Sequence, residues 1–153
     1  MKQILFFIFL FISYSVNAQN VTISNLIKLY NLDITDSKKY MSKLNWNFLE
    51  KYVNDDGKLT YAFTQKDANN NLIRLSKEYG ENNFIGMSFY SRTKKVSYVN
   101  EIESEGFFLL DIYYTDKLDS KIEVYMKIGT ELEFRITTDP NDEYYISYGV
   151  FDN

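Results

Sequence analysis

The residues best spaced for catalysis are two carboxylates, Glu131 and Glu133, which lie two positions apart at the start of a predicted strand. Paired carboxylates can supply the acid and the base, or the nucleophile, of glycoside hydrolysis. The predicted strand register instead puts Glu131 in a turn and Glu133 beside Lys127, where an ordinary ion pair explains it. We therefore predict no catalytic residue and keep a carboxylate-dependent hydrolase as the last alternative.

Two residue types that carry much of enzyme chemistry are missing, because the 153-residue sequence contains no histidine and no cysteine. A Ser-His or Cys-His nucleophile pair is therefore excluded, as is a zinc site of imidazole and thiolate ligands. Loops 54–57 and 139–143 offer oxygen ligands for calcium, but both lack the alternating ligand set of a calcium loop. Ordinary turn formation explains their Asn, Asp and Gly residues, so we predict no metal and no cofactor.

Tyrosines on a predicted sheet are the residues most suggestive of recognition. The chain has 14 tyrosines, and tyrosine and arginine are enriched where proteins bind proteins. The predicted register of the last four strands places several of these residues on one uncovered face: Tyr113, Tyr125, Arg135 and Tyr145. We predict that this set binds another protein, with a glycan stacked on exposed aromatic rings as the alternative ligand.

The first eighteen residues have the pattern of an export signal. Lys2 precedes a continuous apolar run over 4–12, and Val16 and Ala18 place small residues at a cleavage site. Residues 1–18 are thus predicted to be a signal peptide, leaving a mature, periplasmic or secreted bacterial protein that starts at Gln19. The run is too short to span a membrane, and we expect no integral membrane segment after cleavage.

The charge of the chain argues against nucleic acid as a partner. The formal net charge is −4 at pH 7, and no cluster of basic residues forms the footprint that a phosphate backbone requires. Near the end of the third predicted helix the acidic residues Glu101, Glu103 and Glu105 are expected to form a solvated face. A protein or a glycan remains the expected partner.

Periodicity predicts three helices and eight strands. Helical spacing begins near Ser24, again after Asp33, and a third time over 93–105, and lone Trp46 is expected in the core. Alternation with period two predicts strands over eight ranges: 46–53, 58–66, 72–79, 84–91, 107–115, 121–128, 132–138 and 144–150. The predicted class is α+β, with two tandem units of helices plus a four-strand antiparallel meander over 19–91 and 92–153. Both units share one domain, with the helices packed on one face of the sheet.

The register of the sixth and seventh strands follows from the loop between them. If 129–131 is a three-residue loop, Met126 lies opposite Phe134 on the buried face and Tyr125 lies opposite Arg135 on the other. A slip by one residue would carry Glu133 into the core, so the pattern rejects it. The same register places Ile112, Val124 and Ile136 among the buried residues.

This element order resembles that of a known family. Two tandem helix plus four-strand units in a small exported protein resemble the BLIP-like (beta-lactamase-inhibitor-protein-like) family. The segment 40–48, a short helix followed by a strand with the motif Trp46-x-Phe48, is also similar to small exported bacterial proteins. The resemblance implies a non-enzymatic inhibitor or immunity-type protein that occludes an exported enzyme or toxin, and it carries over no functional residue.

Overall fold

The computed structural model describes residues 21–53, 57–66, 70, 72–79, 83–115, 119–141 and 143–151. Within these residues the protein is α+β, as predicted, with three helices and one eight-stranded antiparallel sheet. The elements follow one another in the order α1 (Ile23–Asn31), α2 (Ile34–Lys43), β1 (Asn47–Val53), β2 (Leu59–Lys66), β3 (Leu72–Tyr79), β4 (Phe84–Phe89), α3 (Arg92–Ser104), β5 (Phe108–Thr115), β6 (Ser120–Met126), β7 (Glu133–Thr138) and β8 (Tyr144–Gly149).

Several sequence predictions fall outside the described residues. They include the signal peptide, the predicted new terminus at Gln19 and most of the 54–57 loop. In the part of the chain that is described, no helix has both the length and the apolar character needed to cross a membrane. The eight strands agree with their predicted ranges to within two residues at each end.

The strands are ordered β1-β2-β3-β4-β8-β7-β6-β5 across the sheet. Each group of four is a meander, and the two groups meet where β4 pairs with β8. Gly149 allows this close approach, since a Cβ there would lie 2.4 Å from the Asn83 carbonyl oxygen and 2.9 Å from the Phe84 Cα. Because those atoms belong to the backbone, a side chain at this position would force the two meanders apart.

Helices α1 and α2 begin at side chains that accept backbone hydrogen bonds. The Thr22 hydroxyl accepts from the Asn25 amide, and the Asn25 side chain accepts from the Thr22 amide, which makes a reciprocal cap. Helical spacing was predicted to begin near Ser24, and the observed cap, Thr22, lies two residues earlier. Asp33 caps α2 as its position indicates, with its carboxylate 2.8 Å from the Asp36 amide.

Helix α3 holds the start of α1 in place. The Tyr98 hydroxyl donates to the Val21 carbonyl at 2.9 Å, and a Glu101 carboxylate oxygen accepts from the Ile23 amide at 2.9 Å. Glu105 accepts a hydrogen bond from the Ser24 hydroxyl. The predicted solvated acidic face is thus wrong for Glu101 and Glu105, because their negative charges lie at the positive end of α1.

Rings of α1 and α3 contact rings of the sheet, and the side of the sheet that bears these two contacts is called the helix side below. The ring of Tyr148 lies 5.1 Å from that of Tyr30 in α1, and Phe89 lies 5.1 Å from Tyr98 in α3. Side chains of this side make up much of the core, which also buries Trp46 as predicted. Its fully buried members include Phe63, Leu75, Ile85, Met87, Phe134, Ile136 and Ile146.

Lys77 is an unusual member of this core, because it is only 2% exposed and carries an ammonium group. Its Nζ donates to the carbonyl oxygens of Leu29, Tyr30 and Leu32, at the end of α1. The Leu29 carbonyl also accepts from the Leu32 amide at 3.2 Å, and a cation suits the negative end of the helix dipole. Burial lowers the pKa of Lys77 to about 8, against an opposing effect of Asp33.

Candidate functional site

The predicted register of β6 and β7 is wrong by one residue. Tyr125 lies opposite Phe134, and Val124 lies opposite Arg135. The strands end at Met126 and resume at Glu133, so a loop of six residues joins them, where a loop of three was expected. The helix side therefore receives Tyr125, and the other side, called the groove side below, receives Val124 and Arg135.

Glu133 is compatible with this register because it lies on the groove side, where it has a charged partner, and not in the apolar core of the helix side. The Arg135 Nε donates to a Glu133 carboxylate oxygen, and the pair lies along the same strand. The predicted pairing of Glu133 with Lys127 is wrong, since the Lys127 ammonium donates to the Glu105 carbonyl at 2.8 Å. A paired carboxylate can thus occupy a position that is only 7% exposed.

Tyr125 does not share a surface with the other three predicted site residues. It lies on the helix side, where it is 3% exposed and part of the aromatic core. Burial, with the nearby carboxylates of Glu123 and Glu103, raises the pKa of Tyr125 to about 12. The expectation that Tyr125 projects from an uncovered face is therefore wrong, because the β6–β7 register differs by one residue from the predicted one.

Tyr145 lies on the groove side, but its ring is turned towards β4. A Cβ at Gly86 would lie 1.8 Å from the Tyr145 hydroxyl oxygen, so the ring covers that glycine. Burial raises the pKa of Tyr145, and Glu78 and Tyr52 act in the same direction. This environment belongs to the first meander, so Tyr145 seals the junction between the two meanders.

Tyr113 and Arg135 are brought together in a cavity of about 630 Å³ on the groove side, called the β5–β7 groove. Three strands form its walls, and the loop before β7 and the chain after β8 close its ends. The lining from the strands comprises Leu110, Asp111, Tyr113, Val124, Met126, Glu133 and Arg135. Residues of the flanking segments complete it, namely Thr130, Glu131, Val150 and Phe151.

Arg135 is held in a fixed orientation at this groove. The centre of its guanidinium lies 4.2 Å from the centroid of the Phe151 ring, within the range of a cation–π contact. Its side-chain hydrogen bond to Glu133 uses one of the five N–H donors of the guanidinium. The group is therefore oriented by the protein while retaining donors for a partner's acceptors.

Leu110 and Phe151 are two of the lining residues that the sequence patterns did not place on this side of the sheet. The β5–β6 register shifts between Leu109 and Asp111, so a bulge interrupts the alternation from which faces are assigned. Phe151 follows the last strand, where period two no longer predicts a direction. The available signal for Phe151 was an aromatic residue directly after the predicted strand 144–150.

The candidate calcium loop at 139–143 forms a side-chain-stabilised turn. One carboxylate oxygen of Asp139 accepts from the amides of Asn141 and Glu143, both at 2.8 Å. Among the residues that the structure describes, no three carboxylates are grouped so as to hold a metal ion. Glu131 is exposed at the groove rim, and Glu133 is engaged by Arg135.

Comparison of the chain with models of protein families, with curated proteins and with solved structures finds no match. The BLIP-like resemblance therefore stays a prediction that rests on element order. Function is inferred from the chemistry of the groove, whose lining combines Tyr113 and Arg135 with the apolar side chains of Leu110 and Phe151.

Proposed function

We propose that this protein is an exported, non-enzymatic α+β domain that binds another protein through the β5–β7 groove. In this proposal the tandem units 19–91 and 92–153 keep their helices on one face of the sheet and leave the groove side to the partner. The observation that carries the proposal is the meeting of Tyr113 and Arg135 in one groove. The concrete role proposed is that of an inhibitor or immunity-type protein that occludes an exported enzyme or toxin.

The arrangement of the groove supports a protein ligand. Apolar side chains of Leu110, Val124 and Phe151 line it, while Asp111 and Glu131 are exposed charges in the same lining. An apolar centre with a polar rim is the usual anatomy of a protein interface, and tyrosine and arginine are its commonest hot spots. A partner side chain inserted here would meet both kinds of contact at once.

Cleavage after Ala18, which the proposed export requires, is compatible with the contacts of Val21. Val21 is only 2% exposed, and its carbonyl accepts the Tyr98 hydrogen bond. Cleavage after Ala18 would leave this anchor intact, with Gln19 and Asn20 ahead of it. Intact-mass measurement of the protein recovered outside the cytoplasm tests this step. A mass that includes residues 1–18 would contradict the proposed processing.

Binding is tested by capture from the exported fraction of the source cells on the immobilised mature chain. The test variant is Tyr113→Ala, and the matched control is Tyr52→Ala, a groove-side tyrosine of β1 opposite Thr60. We expect a purified, captured protein to bind Tyr113→Ala at least about thirtyfold more weakly, as for a hot spot of about 2 kcal/mol, and to bind the control normally.

A second variant removes the charge pair without leaving a carboxylate unpaired, namely Glu133→Gln combined with Arg135→Gln. It should also weaken binding while the thermal melt shows a folded protein. Equal affinity of the parent and both groove variants for every captured protein would reject the proposal. If a soluble glycan binds the purified chain and no captured protein does, the glycan alternative is favoured.

A further inference from the structure

We infer that the partner docks as an additional strand on the edge of β5, through an extended segment with a basic side chain that enters the β5–β7 groove. This rests on the proposed function and adds the chemistry of the partner. Strand β5 ends the sheet and pairs, among the described strands, with β6 alone. Its other edge therefore presents the backbone groups that template a further antiparallel strand.

The side chains of β5 favour such pairing. Asp111 is the one charged residue of this eight-residue strand. Its apolar residues are between 37% and 66% exposed, namely Phe108, Leu109, Leu110, Ile112, Tyr113 and Tyr114. This apolar edge lacks lysine and proline, two of the devices by which sheet edges are normally protected, and its protection is confined to Asp111 and the bulge beside it. Burial by a partner strand would remove this apolar surface from water.

The opposite edge of the sheet, β1, is protected by charges. It contains Glu50 and Lys51, and Glu50 pairs with Arg74 of β3 at 2.7 Å. Its exposed Phe48 ring is covered by the Lys38 ammonium of α2, at 3.9 Å from the ring centroid. The two edges of the described sheet thus differ, since β1 carries charges of both signs and β5 borders the β5–β7 groove.

Charge complementarity identifies the partner's side chain. Asp111 lies opposite Val124 and Tyr113 lies opposite Ile122, so both project to the groove side. Because Glu133 is paired with Arg135, the exposed carboxylates left in the lining are those of Asp111 and Glu131. The lining thus carries three carboxylates and one guanidinium, an excess of negative charge that favours a lysine or arginine of the added strand over an acidic residue.

The same charges argue against a second copy of this chain as the occupant. Pairing of β5 with its own copy would offer Asp111 to the acidic rim, since the strand contains no basic residue. On the helix side the added strand would lie beside Ile112 and Tyr114, which suits apolar side chains. A strand that alternates basic and apolar residues therefore fits both sides of β5.

Synthetic peptides of about ten residues, long enough for one strand, provide the test on the mature chain. The probe alternates valine and threonine around a central lysine, and matched peptides have glutamate or threonine at that position. A further version carries N-methyl groups on alternate amides, which block strand pairing. We expect the lysine peptide to shift the amide NMR signals of Phe108–Thr115, and the methylated version to leave them unchanged.

The combined variant Asp111→Asn and Glu131→Gln should weaken the lysine peptide by about five- to tenfold, as expected for two exposed charge pairs, and leave the threonine peptide unaffected. Glu50→Gln on β1 is the matched control and should change neither. Any of three results would overturn the inference: equal affinity for the lysine and glutamate peptides, amide NMR shifts confined to β1, or no binding of any peptide.

These outcomes separate the inference from the proposed function. If a captured protein needs Tyr113 for binding but no peptide binds, the proposed function stands and strand addition is rejected. Light scattering that shows a dimer, lost in the β5 variant Ile112→Lys, would assign the edge to a second copy and also overturn the inference. Peptide binding at β5 with no protein partner that depends on the groove would reject the proposed function instead.

Discussion

The hydroxyl oxygen of Tyr145 occupies the space into which a side chain at Gly86 would extend, 1.8 Å from the position of a Cβ there. The two residues lie on β8 and β4, the strands that join the two meanders. Glycine in the interior of a strand leaves a gap, and an aromatic ring from the neighbouring strand fills it. Tyr145 therefore acts in this structure as a packing residue of the junction.

Substitution of Gly86 by alanine should expel that ring. We expect Gly86→Ala to lower the free energy of unfolding by about 1–3 kcal/mol, as for overpacking of a well-packed site. The released tyrosine should also ionise at lower pH, because burial is the main cause of its raised pKa. Urea unfolding and absorbance titration of the tyrosines measure both effects.

Ser76→Ala is the matched control, since Ser76 lies opposite Gly86 on β3. It should stay within about 0.5 kcal/mol of the parent. Parental stability and an unchanged tyrosine titration in Gly86→Ala would show that the ring does not depend on the glycine.

Replacement of Lys77 by methionine should destabilise the protein. The variant keeps the length of the side chain but removes the donor to the carbonyls of Leu29, Tyr30 and Leu32. Leu29 keeps the Leu32 amide as a donor and Leu32 keeps the Tyr79 hydroxyl, so we expect a cost of about 1–3 kcal/mol. Lys66→Met, at an exposed position of β2, is the control. Urea denaturation distinguishes them, and equal midpoints would contradict the capping role of Lys77.

Lys77 should also make stability depend on pH. The folded protein releases this proton at a pKa of about 8, whereas the ordinary value of 10.5 applies to the unfolded chain. The unfolded state thus binds more protons between these values, and the contribution of Lys77 to stability rises with pH across that interval. Unfolding measured across the interval should show a smaller rise in Lys77→Met than in the parent.

The buried tyrosines act in the opposite direction at higher pH. Tyr125, with its pKa raised to about 12, stays neutral in the folded protein when unfolded tyrosines ionise near 10. Its stabilising contribution is complete below the unfolded pKa and is lost as pH rises towards the folded value. Tyr125→Phe should therefore lose less stability than the parent between about pH 10 and 12, as measured by urea unfolding.

The ionisation of Glu123 should make the stability of the protein depend on pH in the acidic range. Burial acts to raise the pKa of its carboxyl, but Lys95 of α3 and Lys121 of β6 outweigh it and hold the pKa below its ordinary value. The stability that follows is present above the ordinary pKa and is lost as pH falls through the lower one. Glu123→Gln should be less stable near neutral pH and show a shallower acid dependence in urea titrations. Glu50→Gln, at an exposed pair, is the control.

Local patterns were sufficient for the elements of the fold. Asp33 marks the start of α2 because its side chain satisfies an amide three residues away. The strands were found because alternation with period two is contained within each strand. The class, the number of strands and their approximate ends therefore follow from contacts between close neighbours in the sequence.

The candidate site was predicted in part. Tyr113 and Arg135 were assigned to one side and the structure places them there together, but Tyr125 was assigned to the wrong side. Both sides of β6 carry apolar residues, Val124 on one and Tyr125 on the other, so alternation alone does not decide which is covered. The bulge between Leu109 and Asp111 further changes the side to which residues point.

The sequence by itself determined the α+β class, the order of the elements and the absence of histidine and cysteine chemistry, because each depends on composition or on neighbours along the chain. Only the tertiary structure decided that Glu101 would accept from Ile23, 78 residues away, and that Lys77 would cap α1. It also decided the β6–β7 register and hence the groove. These contacts join distant segments, and their energies depend on which groups are brought together and removed from water.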